Sequence, residues 1–557
     1  MADTKPAEAP ASTSAWAPLR EPCFRALWIA ALASNIGTWM HNVGASWLMT
    51  TLTDSALLIA LVQTATSLPI VFLALPAGAM ADVLDVRRML IVTQTCMLVA
   101  AAGLAVLTLA GAATPWAVLG LTFLLGLGSA ATAPAWQAAV PEMVPRAQLP
   151  AAVALNSVQF NLGRAIGPAI GGLIVAAAGA AVVFGINAAS YLAVIAVLWW
   201  WRREPEDGIG AGEKIAGAVG AGVRYIRNSP ELQAVLVRTA AFALPASALW
   251  ALLPLIARDQ LRMDAGGYGV LLGCLGAGSV AGAALLPRVR SRITVDRRIA
   301  LGSMLYAAAM LATAATRNAI VAGVAMVAAG ISWLVLLTSF NVATRLNVAR
   351  WVQARALGVY LLSFQGSMAL GSALWGLTAG SAGLPRTLTI AGVVLIAGLA
   401  ATPLWRLRGT GRADLSPSIR PDPEVELEPK PDDGPVLVLI EYRVAAADAE
   451  AFAKAARRLG RIRRRDGAVR WGLFRDVADP DRFVETYVVD SWAEHLRQHE
   501  RFTQADADVR DLVTSFHTGE EPPQVSHFIH PDAALRQRRW VRWTRPALDK
   551  ASTLIPR

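Results

Sequence analysis

Between Phe24 and Trp405 the chain is a succession of twelve apolar runs of roughly 18–26 residues, each long enough to cross about 30 Å of hydrocarbon as a helix. Lipid offers no hydrogen bonds, so a spanning segment must satisfy its own backbone, which a helix does within itself. Runs of this length suit spanning helices. They therefore predict an all-α membrane protein with spans near 24–50, 57–80, 89–110, 115–138, 151–177, 182–201, 233–256, 267–287, 298–316, 319–344, 355–380 and 386–405. With the N-terminus inside, the inner segments hold twenty Lys and Arg, against only Arg258, Arg262, Arg317 and Arg386 outside. By the positive-inside rule both termini are expected in the cytoplasm.

The net charge of +11 sits largely beside these runs. Anionic lipid headgroups are the expected counter-ions, and nucleic acid is not an expected partner. Cys23, Cys96 and Cys274 are far apart and read as packing residues, without a disulfide or metal site. Residues 1–22 are Pro-, Ala- and Ser-rich. They read as a disordered N-terminal tail with no cleavable signal peptide.

A cytoplasmic central loop at 203–232 divides the runs into an N-terminal six-helix half, 23–202, and a C-terminal one, 233–407. Sliding the chain by 204 residues without gaps brings Arg146 onto Arg350, Phe160 onto Phe364, Gly167 onto Gly371 and Gly172 onto Gly376. The same shift places Gly78 on Gly282, Arg88 on Arg292 and Asp82 on Leu286. Two parallel repeats meeting around a midplane cavity is transporter architecture.

After the second run comes Gly78-Ala-Met-Ala-Asp82-Val-Leu-Asp85-Val-Arg87-Arg88-Met-Leu90. It resembles the signature between helices 2 and 3 of the major facilitator superfamily, although Val83 and Val86 replace basic residues often found there. The resemblance implies a gating motif of Gly78, Asp82, Arg87 and Arg88 at the inner mouth, with Glu142 as the expected partner of Arg87 or Arg88. Gly163-Arg-Ala-Ile-Gly167-Pro168-Ala-Ile-Gly171-Gly172 resembles the helix-5 antiporter motif of the exporters in that superfamily, with Ala154 in place of an earlier glycine. Pro18 to Trp28, Ser34 to Met40 and Trp47 to Thr50 are similar to the subfamily of the enterobactin exporter. Together these imply efflux of small, drug- or siderophore-like molecules from a bacterial inner membrane, by alternating access and with protons as the coupling ion.

Polar side chains at half depth are costly unless they face a cavity or one another. Asn35, His41, Asn42, Gln63, Asn161, Arg164 and Gln365 are the candidates for a substrate cavity, with Asn156, Gln159, Asn187 and Asn341 beside them. Arg164 is too deep to snorkel easily. It either binds an anionic substrate or donates to backbone carbonyls and Asn side chains. Arg238, near the inner end of the seventh run, is expected to reach headgroups. No carboxylate lies well inside any run, which leaves Asp82 and His41 as the titrating candidates for proton coupling. No Gly-rich phosphate loop with Lys-Ser/Thr is present, so ATP drive is not expected. Neither are a cofactor or catalytic residues.

A Pro-rich linker, 408–435, leads to a domain at 436–530 whose periodicity reads strand, helix, strand, strand, helices, strand. That order predicts a small α+β ferredoxin-like soluble domain. It resembles the dimeric α/β-barrel domains that include antibiotic-biosynthesis monooxygenases, which implies a possible homodimer. An alternative reading is a membrane-anchored bifunctional protein whose C-terminal domain is an enzyme or ligand sensor. His495 and His499 read as exposed helix histidines, and the arginines at 457, 458, 461 and 463–465 as a solvated or lipid-facing side. The basic Trp/Arg-rich tail at 531–557 reads as an interfacial segment.

Overall fold

The computed structural model describes residues 14–83, 85–201, 224–407, 414–418 and 429–531, and within these all side chains but those of 74, 75, 77–83, 350 and 401. The first 13 residues, most of the central loop and the tail from 532 lie outside the described residues. The chain forms two compact units. The first comprises Met1–Ile215, Ala234–Arg345 and Leu357–Gly409, the second Ala216–Gln233, Leu346–Ala356 and Thr410–Arg557.

The first unit is helical. Its elements are α1 (Pro22–Leu52), α2 (Ala56–Val83), α3 (Val86–Leu109), α4 (Pro115–Met143), α5 (Leu149–Ala178), α6 (Ala180–Trp200), α7 (Pro230–Leu255), α8 (Ala265–Arg292), α9 (Val295–Ala315), α10 (Ala319–Leu346), α11 (Gln353–Ala382) and α12 (Leu384–Gly398). Among the described residues ten of these, all but α1 and α12, are apolar and long enough to cross a membrane. Helix α1 has 31 residues but carries Ser34, Asn35, Thr38, His41 and Asn42 along its length, which lowers its hydropathy. Helix α12 has 15 residues and ends before Trp405, shorter than its apolar run. Caps mark several starts: the side chains of Asp85, Thr114, Asp264 and Thr294 accept from the backbone N–H of Arg88, Ala117, Gly267 and Arg297, the role short polar residues serve at N-caps.

The helix boundaries carry the repeat. Helices α4, α5 and α6 start 204 residues before α10, α11 and α12. Gly179 and Gly383, at the tight α5–α6 and α11–α12 turns, adopt φ of +85° and +81°, a backbone that glycine enters without strain. Helices α2 and α3, however, start 209 residues before α8 and α9, because α9 and the turn after it are shorter than α3 and its turn. The ungapped shift therefore mispairs this region. By helix position the counterparts of Asp82, Arg87 and Arg88 are Ser291, Asp296 and Arg297, where the fixed shift gives Leu286, Ser291 and Arg292. Arg238 is also placed differently from expectation. It is buried and its Nη1 meets Asp296 Oδ1, since a carboxylate on α9 offers a closer partner than the headgroups.

The second unit is built on an antiparallel four-stranded sheet of order β2-β3-β1-β4, with β1 (Val436–Arg443), β2 (Arg470–Arg475), β3 (Arg482–Val489) and β4 (Gln524–Ile529). Helix α13 (Ala449–Asp466) follows β1, while α14 (Trp492–Arg501) and α15 (Gln504–Thr514) follow β3. Alternate residues of β1, namely Val436, Val438, Ile440 and Tyr442, are buried with Phe452, Ala456 and Leu459 of α13, the period-2 against period-3.6 match that packs a helix on a sheet.

The arginines of α13 are not uniformly solvated. Arg463 is buried, lying 4.6 Å from the Tyr487 ring with Nε 3.5 Å from Glu485. Glu485 also accepts from Trp471 at 2.9 Å and Tyr442 at 3.2 Å. Arg465 pairs with Asp466 and Asp506, each at 2.7 Å. Only Arg457, Arg458 and Arg461 are exposed. His495 likewise is fully buried, within 5.2 Å of Trp492, 4.9 Å of His499 and 4.8 Å of His527 by ring centroids. These residues face inward because α13 and α14 each lay a mixed polar and apolar stripe against neighbouring elements.

Two short segments that connect membrane helices belong to this second unit. One leads into α7 and contains a helical turn at 224–228; the other, Leu346–Ala356, joins α10 to α11. Tyr225 Oη accepts from the Ala349 N–H at 3.3 Å, and its ring meets Trp351 edge-on at 5.7 Å. Burial pushes the Tyr225 phenol above its usual range, so it stays neutral. The domain grips both segments: Arg465 lies 5.5 Å from the Tyr225 ring, Arg501 4.6 Å from the Trp351 ring, and Arg224 3.6 Å from Glu494.

Candidate functional site

The six-helix halves enclose a cavity of about 650 Å³, within the range of small-molecule sites. Every helix of the first unit except α9 and α12 contributes to its walls. Asn35, His41, Asn42, Gln63, Arg164 and Gln365 all line it, as do Asn156, Gln159 and Asn187. Asn161 does not. It is exposed, and its Nδ2 donates to the Ser157 carbonyl at 2.8 Å. On α5 the wall runs through Asn156, Phe160, Arg164 and Pro168, and a residue one place beyond Phe160 is turned about 100° from that row. Asn341 is likewise outside the wall and accepts from Arg345 at 3.0 Å.

The glycines place α5. A methyl at Gly163 would lie 3.1 Å from Asn35 Cβ, at Gly167 2.6 Å from Trp39 Cβ, and at Gly171 2.8 Å from Met40 Cα. Helix α1 thus rests directly on this stripe, and Asn35 and Trp39 gain their positions from it. Gly172 lies off the stripe and faces Gly269 of α8, where a methyl would sit 2.5 Å from Gly269 Cα. Helix α5 therefore packs on its own half through one row and on the other half through Gly172.

Further contacts join the halves where α1 ends and α8 begins. Arg258, in the π-helical turn Ile256–Gln260 after α7, donates to the Thr50 carbonyl and pairs with Asp54 at 3.3 Å and Asp259 at 2.6 Å. Trp47 stacks on Tyr268 at 6.1 Å.

His41 is buried against Phe184 at 4.5 Å, and neither ring nitrogen has a hydrogen-bond partner among the described residues. Thr38 and Asn187 meet the Tyr191 hydroxyl at 3.0 and 3.2 Å. The aromatic walls, Trp39, Tyr191, Trp250, Tyr268 and Trp333, were not legible as site residues, since tryptophan and tyrosine in apolar runs also serve packing and interfaces.

Of the gating motif, Gly78 and Asp82 fall in the last turns of α2, with their side chains outside the described ones. Arg87 donates to the carbonyls of Leu198 at 2.7 Å and Trp199 at 3.0 Å. These partners lie at the C-terminal end of α6, because the last carbonyls of a helix lack intrahelical donors and attract cations. Arg88 is exposed, and its N–H is taken by Asp85 at 2.7 Å.

Residues 13–535 match the family described as "Transmembrane secretion effector", a branch of the major facilitator superfamily. The chain is 26% identical over 366 residues to the staphyloferrin A transporter of Staphylococcus aureus, covering 65% of this chain and 90% of that protein. It is 27% identical over 416 residues to the multidrug efflux pump Tap of Mycobacterium tuberculosis, covering 72% and 96%. It is also 27% identical over 267 residues to the enterobactin exporter EntS of Shigella boydii, covering 47% and 62%. The fold is similar to the nucleoside transporter NupG, with a TM-score of 0.55 at 13% identity over 69% of this chain and 99% of that one. A bacterial homolog of the human lysosomal transporter Spinster also gives 0.55, at 14% identity, covering 70% and 97%.

Proposed function

We propose that this chain, which belongs to the transmembrane secretion effector family of major facilitator transporters, exports small drug- or siderophore-like molecules across a bacterial inner membrane. It is a multi-pass transporter and not an enzyme. In this reading all twelve helices span, and both termini are cytoplasmic. The observation that carries it is the cavity whose walls come from both halves. With the N-terminus inside, the contact of Arg258 with Thr50 lies at the outer end, and in this reading the conformation is open inward, ready to load from the cytoplasm. Alternating access then breaks the Arg258 and Gly172–Gly269 contacts and closes the inner end.

We take protons as the coupling ion, with Asp82 or His41 as the titrating group. The cavity wall holds no carboxylate among the described residues, which leaves these two residues as the groups to test. Cells expressing the protein are expected to accumulate less of at least one of ethidium, Nile red and 2-naphthoate than cells without it, and a protonophore should erase the difference. Accumulation equal for all three would sink the exporter reading. An unaltered difference under protonophore would sink proton coupling alone.

The strand order of the C-terminal sheet supports a ferredoxin-like domain, and the same proposal includes pairing of two chains through it. The sheet face opposite α13 carries Leu437, Leu439, Val484 and Val488, with the half-exposed Phe474 and Phe528 at its edges. Light scattering of the detergent-purified protein should return the mass of two chains. A mass of one chain would rule the pairing out.

A further inference from the structure

We propose that Arg164 and the three tryptophans around it form the seat for the anionic group of an organic monoanion bearing a flat aromatic ring. The site rests on the exporter reading above and names its substrate class. Arg164 is the one formally charged side chain in the cavity wall, which contains no Asp, Glu or Lys among the described residues. A guanidinium withdrawn from water is normally paired, because an unpaired buried charge is expensive. Here Nε and Nη2 are buried without a hydrogen-bond partner among the described residues. The structure thus offers no support for the purely structural role, in which Arg164 would donate to carbonyls or to Asn side chains.

The cation is held instead by ring faces. Its Cζ lies 6.0 Å from the Trp39 ring, 6.0 Å from Trp250 and 5.9 Å from Trp333. Three aromatic faces attract a guanidinium and fix its direction, yet they leave its in-plane N–H donors unused. The Trp333 indole N–H, a donor only, is also buried without an acceptor. Donors of this kind in one place suit a carboxylate or a similar flat oxyanion, which an arginine fork binds through two parallel hydrogen bonds. Trp250 and Trp333 approach to 5.1 Å at 51°, and their faces suit an aromatic ring attached to that anion. The uncompensated positive charge works against organic cations in the same seat.

The cage also spans the repeat. Trp39 and Arg164 belong to the first six helices, Trp250 and Trp333 to the second. Any swing of one half against the other moves Arg164 relative to two of its three rings. An anion that neutralises the guanidinium reduces its dependence on those rings, so occupancy is linked to the swing.

Calorimetric titration of the full-length protein in nanodiscs tests this with 2-naphthoate and its neutral isostere 2-naphthamide. Wild type is expected to bind the naphthoate about tenfold or more tighter than the amide, the scale of one charge-assisted hydrogen-bonded pair. Arg164→Gln should abolish that preference and Arg164→Lys should keep part of it, while Trp333→Leu should weaken both ligands. Equal affinities in wild type, or a preference that persists in Arg164→Gln, would overturn the assignment. The wild-type comparison stands even where a variant fails to fold. The failures are separable: a protein that expels ethidium or Nile red from cells but shows no preference for the naphthoate remains an exporter without this anion seat.

Discussion

Replacing Gly171 by leucine is expected to abolish transport and to lower the yield of extractable protein, whereas Gly185→Ala leaves both unchanged. The contrast follows from what each position faces. At Gly171 the first side-chain carbon would meet the Met40 backbone at 2.8 Å, and at Gly185 nothing lies within 4 Å. A flexible side chain can turn away from an intruder, but the backbone of α1 can only be displaced. Overpacking typically costs about 1–3 kcal/mol, and a leucine against backbone belongs at or above the top of that range. Displacing α1 also carries Asn35, Trp39 and His41 out of the cavity wall, so function should fail before folding does. Thermal melting by fluorescence-detected gel filtration, beside an export assay, reads both effects. A Gly171→Leu protein that melts and transports like wild type would show that the glycine row does not seat α1.

Arg501→Met is expected to loosen the second unit and to release two connecting segments together. Arg501 is buried. It donates to the Asp466 carbonyl and to Glu494, both at 2.7 Å, and covers the Trp351 ring. Removing one partner of a buried charge pair costs about 3–5 kcal/mol, a large part of the roughly 5–15 kcal/mol that stabilises a domain. Glu494 also holds Arg224 at 3.6 Å and Arg497 at 2.8 Å. The disturbance should therefore reach the segment before α7 as well as the α10–α11 loop. Hydrogen–deuterium exchange of the full-length protein should rise in 224–233 and 346–356 alike, while the exposed Arg461→Met leaves both unchanged. A rise in neither, or in one alone, would mean that the domain does not hold the two segments as a pair.

Much of this fold is written in the sequence because lipid leaves a helix few alternatives. The apolar runs, the tight turns at Gly179 and Gly383 and the alternation of β1 each have a local physical cause. The register of the repeat was legible only in part. A fixed shift of 204 finds α4–α6 in α10–α12 but cannot register a shorter α9, so it misplaced the partner of Asp82. Cavity-lining residues are legible where polarity in an apolar run betrays them, as at Asn35, Gln63 and Arg164. The helical row through Asn156, Phe160, Arg164 and Pro168 excluded Asn161, a distinction that needs the direction of the cavity. The tryptophan cage stayed hidden because its rings come from α1, α7 and α10, and nothing in one helix announces what the next will bring to it. Arg238, Arg463 and His495 failed for the same reason, each buried by a partner distant in sequence.

The central claim, outward transport through this cavity, is tested most directly in everted membrane vesicles supplied with a respiratory substrate. Vesicles carrying the protein should load at least one of ethidium, Nile red and 2-naphthoate faster than vesicles lacking it, and should release it when a protonophore is added. Loading of none of the three above the protein-free vesicles, or loading confined to right-side-out vesicles, would contradict the account.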